Sequence, residues 1–285
     1  MGNVNCKTCD GSGWIQYLKK NTDISVPEYK NGERRDIYLY RGLKECYHEY
    51  AARCPECNGG QAIVEMRKQK ANIPAAKYDV EVKDIDWDRY FDDNDKPIDL
   101  QKQQMYIEAF VRDFKEWQKE GIGLYIWSKG RGSGKTYISS GICNTLINEY
   151  KIVTKFVSAF NLISIEKSAS DDKYAGRYDK DPIAELCDCD LLVIDDLGAQ
   201  NSDNWTSNIL YRILNERMEN KRITIITSNV KVDNLPFDDK IVDRINATMQ
   251  NIPLPDCKVR AREANDKKRK LFQKIGLMRK REGDG

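Results

Sequence analysis

The sequence contains no long run of apolar residues. Its 285 residues nowhere provide the roughly 18 to 20 continuous apolar side chains that a membrane-spanning helix needs. The N-terminal stretch MGNVNCKTCD also lacks the apolar core of a secretory signal. These absences argue against membrane proteins and exported proteins, and they predict a soluble protein of the cytoplasm that has no membrane partner.

The net charge is also small, at +2 from 47 basic and 45 acidic side chains, but the charges are unevenly distributed. Residues 79–99 hold nine acidic and three basic side chains, whereas residues 258–281 hold eleven basic and two acidic ones. We interpret the basic tail as a candidate contact for nucleic acid or for an acidic partner. A solvated helix face would explain it equally well.

Disulfide bonds are not expected, although the chain has nine cysteines, because thiols stay reduced in the cytoplasm. Two CxxC pairs, Cys6/Cys9 and Cys54/Cys57, each precede a glycine-rich turn. Four thiolates form the tetrahedral ligand set of a structural zinc. The sequence therefore predicts a zinc-binding module over residues 1–60, in which the metal supplies much of the folding free energy.

Two further side chains, Cys46 and His48, are alternative zinc ligands, and His48 is the only histidine of the chain. Because the four paired cysteines already close the coordination shell, we assign the metal to them and expect it to be structural rather than catalytic. Between the pairs, over residues 14–50, polar and apolar side chains alternate. This alternation predicts the hairpins of a zinc ribbon.

The stretch WSKGRGSGKTY, residues 127–137, is typical of a phosphate-binding P-loop, although Lys129 stands where the usual pattern has its first glycine. A short apolar strand precedes the loop and a helical pattern over residues 135–150 follows it, as phosphate binding requires. The missing glycine lies at the start of the loop, where a side chain can point away from the phosphates. The residues predicted to bind ATP here are Gly130, Arg131, Gly132, Ser133, Gly134, Lys135, Thr136 and Tyr137.

Two further apolar runs end in polar side chains. The run LLVIDD ends in Asp195 and Asp196, and the run TIITSN ends in Asn229. We predict that Thr136 and Asp195 bind magnesium, and that Asp196 orients or deprotonates the attacking water. The amide of Asn229 can bridge that water and the γ-phosphate, although an ordinary turn would also explain Ser228 and Asn229.

The alternation of strands and helices predicts an α/β fold with a five-stranded parallel sheet and a ligand at its carboxyl edge. We predict a helix and an acidic linker over residues 61–100, and an ATPase domain with a basic tail over residues 101–285. The predicted strands are 124–127, 152–157, 191–194, 223–227 and 251–254.

The motifs GSGKT, LLVIDDLG and TIITSN, in this order and spacing, resemble those of AAA+ helicase loaders of bacteria and their phages. The nearest match is the DnaC/DnaI group, and the IstB transposition ATPases are close relatives. The resemblance covers most of residues 72–275 and implies an AAA+ P-loop NTPase. It implies Walker A roles for Lys135 and Thr136, a Walker B role for the two aspartates, and a sensor 1 role for Asn229.

The resemblance also implies roles for two arginines. Arg244 matches the arginine finger that reaches the ATP of a neighbouring subunit, which implies self-association through the ATP site. A surface salt bridge is the competing explanation for Arg244. Arg260 matches the sensor 2 position.

The resemblance also implies a function. It is that of a slow ATPase that loads the replicative ring helicase onto single-stranded DNA, with ATP binding driving assembly and hydrolysis driving release. The zinc module would bind the helicase, and Lys155, Phe156 and Phe160 are candidate DNA contacts, with weaker support from the tail beginning at Lys267. Burial in the core would also explain the two phenylalanines.

Two other functions remain open. One is an IstB-like transposition helper that acts with a transposase on duplex DNA. The other is a zinc-dependent adaptor that binds ATP only as a structural ligand.

Overall fold

The computed structural model describes residues 14–20, 25–30, 33–38, 47–53, 60–162, 182–198 and 204–275. These residues belong to two compact units, Met1–Met66 and Arg67–Gly285. The predicted zinc ligands lie outside the described residues, as does the side chain of the alternative ligand His48. Those ligands are Cys6, Cys9, Cys54 and Cys57, with Cys46 as the other alternative.

The described residues of the first unit include two antiparallel strand pairs. Strand β1 (Trp14–Lys20) pairs with β4 (Tyr47–Arg53), and β2 (Ser25–Lys30) pairs with β3 (Glu33–Tyr38). The alternating pattern over residues 14–50 therefore does form antiparallel strands. Trp14 is opposite Arg53, so the chain ends that lead to the two CxxC pairs lie side by side.

The second unit is built on a five-stranded parallel sheet with the strand order β6-β7-β8-β5-β9. This confirms the predicted fold class. The strands are β5 (Gly123–Trp127), β6 (Thr154–Ser158), β7 (Leu191–Leu197), β8 (Ile223–Ser228) and β9 (Met249–Pro253). Leu124, Val193 and Ile225 in the central strands have no exposed surface, because parallel strands are covered on both faces.

Helices precede, separate and follow these strands along the chain. They are α1 (Gly60–Ala71), α2 (Gln101–Arg112), α3 (Phe114–Glu120), α4 (Lys135–Tyr150), α5 (Pro182–Asp188), α6 (Asn204–Glu219), α7 (Asp239–Thr248) and α8 (Val259–Lys274). Short 3-10 turns lie at Ala75–Lys77, Val82–Asp84, Trp87–Arg89 and Val232–Asn234. No helix within these described residues has the length and apolar character to cross a membrane.

Residues 101–120 form two helices rather than one. The chain leaves helical geometry at Asp113 (φ −106°, ψ 27°), between α2 and α3. The aromatic spacing of the stretch nevertheless marks a buried face. Phe110 packs edge-on against Phe114 and Trp117, with ring centroids 5.9 and 5.3 Å apart.

The acidic segment between α1 and α2 packs on helix α4. Asn144 of α4 donates hydrogen bonds to the backbone carbonyls of Lys77 (2.9 Å) and Val80 (2.7 Å). The amide of Val82 donates to the hydroxyl of Thr145 (2.9 Å). Val82 itself is buried. The segment that the sequence presents as a linker is therefore a packed layer of the second unit, with its charges at the surface.

Candidate functional site

The glycine-rich loop between β5 and α4 is held from outside by Tyr90. The hydroxyl of Tyr90 donates to the backbone carbonyl of Ser133 (3.0 Å). Gly134, which ends the loop, has φ 94°, and a Cβ atom there would lie 2.7 Å from the Tyr90 hydroxyl. Only glycine combines this backbone conformation with so close an approach.

Lys135 lies at the first turn of α4 and is 7% exposed. Its ammonium donates to the hydroxyls of Ser128 (2.8 Å) and Ser133 (3.2 Å) and to the carbonyl of Gly130 (3.0 Å). Burial lowers the pKa of Lys135, because the surrounding oxygens stabilise the cation less than water does. An anion bound at this loop would therefore stabilise the charged ammonium.

Asp195 lies at the carboxyl end of β7, opposite the start of α4. Both of its carboxylate oxygens are 3.1 Å from the hydroxyl of Thr136, and one accepts a 2.6 Å hydrogen bond from Thr227. Burial raises the pKa of Asp195, and the two hydroxyls oppose that shift. A cation bound beside this carboxylate would stabilise its ionised form.

Asp196 and Asn229 complete the polar end of the sheet. Asp196 adopts a left-handed conformation (φ 60°), and its carboxylate accepts a 2.7 Å hydrogen bond from the amide nitrogen of Asn229. The amide oxygen of Asn229 is buried and has no hydrogen-bond partner among the described residues. A buried polar atom without a partner in the protein is typical of a position where a ligand or water binds.

These side chains line one cleft of about 630 Å³. The predicted residues in its wall are Arg131, Gly132, Ser133, Gly134, Lys135, Thr136, Tyr137, Asp195, Asp196, Asn229 and Arg260. The remaining predicted loop residue, Gly130, contributes its carbonyl to the Lys135 ammonium. Lys129, at the position that departs from the usual pattern, is exposed.

The residues present fit ATP and magnesium. The buried ammonium of Lys135 is bonded to oxygens of the loop, and the half-buried carboxylate of Asp195 lies beside the hydroxyl of Thr136. Within the described ranges no group of three or more His, Cys, Asp or Glu side chains could hold a metal. The Asp195 carboxylate and the Thr136 hydroxyl, 3.1 Å apart, suit Mg²⁺, which binds through one or two carboxylates together with the oxygens of a phosphate ligand.

Two arginines were predicted to act on ATP. The backbone amide of Arg260 donates to the carbonyl of Gly132 (3.1 Å), and its side chain lines the cleft. Arg244 lies on α7 and is held against α6, where its guanidinium stacks on the ring of Tyr211 (4.2 Å) and donates to the Asn215 amide oxygen (2.6 Å). Arg260 therefore belongs to the cleft of its own chain, whereas Arg244 is a half-buried group on another surface.

The candidate DNA contacts differ from one another in exposure. Phe156 is 6% exposed and belongs to the core, so burial accounts for it. Phe160 is 71% exposed. Lys155 forms a 2.8 Å ion pair with Glu185.

Several cleft residues were not predicted from the sequence. Tyr90 and other residues between Pro74 and Tyr90 line the cleft, and Thr227 bonds to Asp195 from the neighbouring strand. Thr227 could have been found from its position two residues before Asn229. A contact with Asp195 follows from that position only if β7 and β8 are known to be neighbours in the sheet.

Comparison with known proteins agrees with this geometry. The sequence profile of the family described as IstB-like ATP binding protein matches residues 61–248. The chain is 26% identical over 148 residues to the replicative helicase loader DnaC of Escherichia coli K12, covering 51% of this chain and 56% of that protein. It is 28% identical over 150 residues to DnaC of Buchnera aphidicola from Acyrthosiphon pisum, covering 52% and 60%.

The matches therefore span little more than half the length of these relatives. The crystal structure of a DnaC helicase loader superposes with a TM-score of 0.51 at 19% identity, covering 64% of this chain and 99% of that one. The shared architecture is the AAA+ fold of P-loop NTPases.

Proposed function

Because the chain belongs to the family of IstB-like ATP binding proteins, we propose that it is an ATPase that loads a replicative ring helicase onto single-stranded DNA. The observation that carries the proposal is the single cleft in which the P-loop, two aspartates and a buried amide oxygen without a partner meet. The similarity to replicative helicase loaders supports a replicative helicase as the protein that is loaded.

The predicted loop and strand-end residues of the cleft have separate roles in this proposal. Lys135 and the loop amides bind the phosphates, and Thr136 and Asp195 hold magnesium. When bound, magnesium neutralises charge on the phosphates. Asp196, held by Asn229, orients the attacking water. Aspartate is one methylene shorter than the glutamate that many ATPases use, which supports slow hydrolysis.

The partners follow from the same proposal. ATP binding brings subunits together so that Arg244 of one subunit acts at the cleft of the next. Exposed basic residues of α8 and the exposed ring of Phe160 bind single-stranded DNA without sequence preference. The N-terminal unit binds the helicase.

A helicase-loading assay tests the proposal. Single-stranded DNA carrying a bound obstacle to spontaneous loading is incubated with ATP, this protein and candidate replicative helicases, and DNA-bound helicase is measured. We expect the amount of DNA-bound helicase to depend on ATP and on this protein. Equal amounts of DNA-bound helicase with and without this protein, for every helicase tried, would contradict the loader role.

Matched lysine variants connect loading to the cleft. Lys135→Ala removes the ammonium that reaches the phosphates and should weaken ATP binding by roughly 10- to 100-fold, the value of charged hydrogen bonds. Lys129→Ala changes an exposed lysine of the same loop and should bind ATP within about twofold of the unmodified protein. Loading should fail only with the first variant.

A transposition helper is the second candidate, and the description of the matching family favours it. The two candidates differ in their partner, since a helper acts with a transposase on duplex DNA. ATP-dependent binding to duplex DNA in preference to single strands, without capture of any helicase, would favour the helper. If Lys135→Ala left every activity unchanged, ATP would be at most a structural ligand of an adaptor.

A further inference from the structure

A β-bulge shapes the strand that carries the two aspartates. The pairing of β7 with β8 shifts by one residue between Ile194 and Leu197. Asp195 and Asp196 therefore stand opposite one residue, Thr227. In a regular strand, successive side chains point to opposite faces of the sheet, yet both aspartates line the cleft. The bulge is what brings both carboxylates to the same site.

The hydroxyl of Thr227 is bonded on both sides of this bulge. Thr227 is 1% exposed. The backbone amide of Asp196 donates to its oxygen (2.9 Å), and the hydroxyl lies 2.6 Å from a carboxylate oxygen of Asp195. Because a backbone amide can only donate, the Thr227 oxygen must accept there, and its single proton goes to Asp195. One hydroxyl therefore contacts both aspartates. Its oxygen accepts from the Asp196 amide, and its proton is donated to the Asp195 carboxylate.

These two bonds have different consequences. The bond to the Asp196 amide satisfies a ladder donor that the bulge would otherwise leave without an acceptor, in a residue with the uncommon φ of 60°. The bond to Asp195 helps to orient its carboxylate so that both oxygens lie 3.1 Å from the Thr136 hydroxyl.

We propose that Thr227 is a positioning residue of the ATP site, whose hydroxyl orients Asp195 for magnesium and stabilises the bulge that presents Asp196. This inference rests on the proposed binding of magnesium and ATP. It does not depend on the identity of the helicase or of any other partner.

Three variants of strand β8 separate positioning from general support of the strand. Thr227→Val removes the hydroxyl and keeps the shape, and Thr227→Ser restores the hydroxyl. Thr224→Val makes the same change at a buried threonine of β8 whose hydroxyl instead accepts from Arg217 (2.9 Å). The full-length protein is titrated with a fluorescent ATP analogue, first in EDTA and then at increasing Mg²⁺ concentrations. Thermal melting is recorded for each variant.

We expect Thr227→Val to bind the analogue in EDTA within about twofold of the unmodified protein, since the P-loop is unchanged. Mg²⁺ should increase the affinity for the analogue, and the Mg²⁺ concentration that gives half of this increase should rise about tenfold in Thr227→Val. This is the change expected for the loss of one hydrogen bond to a charged group, here the Asp195 carboxylate. Thr227→Ser and Thr224→Val should respond to Mg²⁺ like the unmodified protein.

Two results would overturn the positioning role. One is an unchanged Mg²⁺ response in Thr227→Val. The other is equal loss of binding and of melting temperature in both valine variants, because the hydroxyl would then only support the strand. If the unmodified protein bound no nucleotide, the proposed function would fall together with this inference. If it bound magnesium and ATP as expected but loaded no helicase, the proposed function alone would fall.

Discussion

Arg217 shows how a charged side chain is stabilised inside the core. It is 1% exposed, and burial lowers its pKa. Its guanidinium donates to the hydroxyl of Thr224 and to the backbone carbonyls of Leu186, Cys187, Cys189 and Ile223. These acceptors lie in the last turn of α5, directly after it and at the start of β8, so Arg217 of α6 connects three elements at the amino edge of the sheet.

Replacing Arg217 should therefore reduce stability more than replacing a half-exposed arginine nearby. Arg217→Met leaves several buried carbonyls without donors, and we expect the free energy of unfolding to fall by roughly 3 kcal/mol. Arg222 forms a half-exposed ion pair with Asp190 (2.8 Å), and Arg222→Met should cost at most about 1 kcal/mol. Urea denaturation measures both. Equal losses in the two variants would contradict the role of the buried network.

Local patterns predicted the residues of the loop and the strand ends that line the cleft, but not the residues that position them. Lys135 and Asp195 are recognisable because a glycine loop or an apolar run directly precedes each. Tyr90 contacts the loop across 43 positions of sequence, and Thr227 contacts Asp195 across 32. Such contacts depend on which elements are neighbours in space, which motif spacing does not contain.

At the scale of elements, the pattern of burial determined which strands and segments could be predicted from the sequence. The central strands β5, β7 and β8 are buried along most of their length and are largely apolar. The edge strands β6 and β9 are only partly apolar, but all five strands were predicted. The segment between α1 and α2 contains short 3-10 turns with isolated buried side chains, such as Ile85 among Asp84 and Asp86. Neither helical nor strand spacing occurs in such a segment, and its acidic residues gave it the composition of a linker.

Helices α6 and α7 together determine the direction of Arg244. Tyr211 and Asn215, one turn apart on α6, hold the guanidinium by a ring contact and by hydrogen bonds. A guanidinium held in this way loses little conformational freedom when it meets a phosphate. This pairing supports the proposed role as a finger toward a neighbouring subunit.

Mixing two inactive variants tests that role. Arg244→Ala should bind ATP within about twofold of the unmodified protein but lose roughly 1000-fold in turnover, as expected for an arginine finger. Lys240→Ala, at an exposed lysine one turn earlier on α7, should retain turnover. Arg244→Ala subunits have an intact P-loop and Lys135→Ala subunits have an intact Arg244, so a mixture should regain hydrolysis. Full turnover by Arg244→Ala alone would exclude the finger.

At the scale of the whole molecule, part of the charge asymmetry is paired within the second unit. Arg262 of α8 forms a 2.8 Å ion pair with Asp95 and lies over the ring of Phe91 (5.1 Å). The pair is exposed and contributes little stability, but it connects the acidic segment to the basic helix. Lys267 and Lys270 are exposed, so the predicted contact of this helix with nucleic acid stays a prediction.

Zinc content tests the prediction for the N-terminal unit. Four of the nine cysteines lie in the second unit, where Cys143, Cys187, Cys189 and Cys257 are buried, unpaired thiols. Burial raises the pKa of Cys187 to about 12, so this thiol is protonated and a poor metal ligand at neutral pH. Zinc in the purified chain would therefore come from the N-terminal cysteines.

We expect about one zinc per chain, the content of a single tetrahedral site. It should be lost on changing both Cys6 and Cys9 to serine, and retained in Cys143→Ala, because Cys143 has no exposed surface. Atomic absorption measures the metal, and proteolysis in the presence of a chelator measures its contribution to folding. Cleavage should be confined to the N-terminal unit, since a small metal-stapled module unfolds when its metal is removed. A metal-free chain with intact cysteines would remove the zinc module and leave the ATP cleft unaffected.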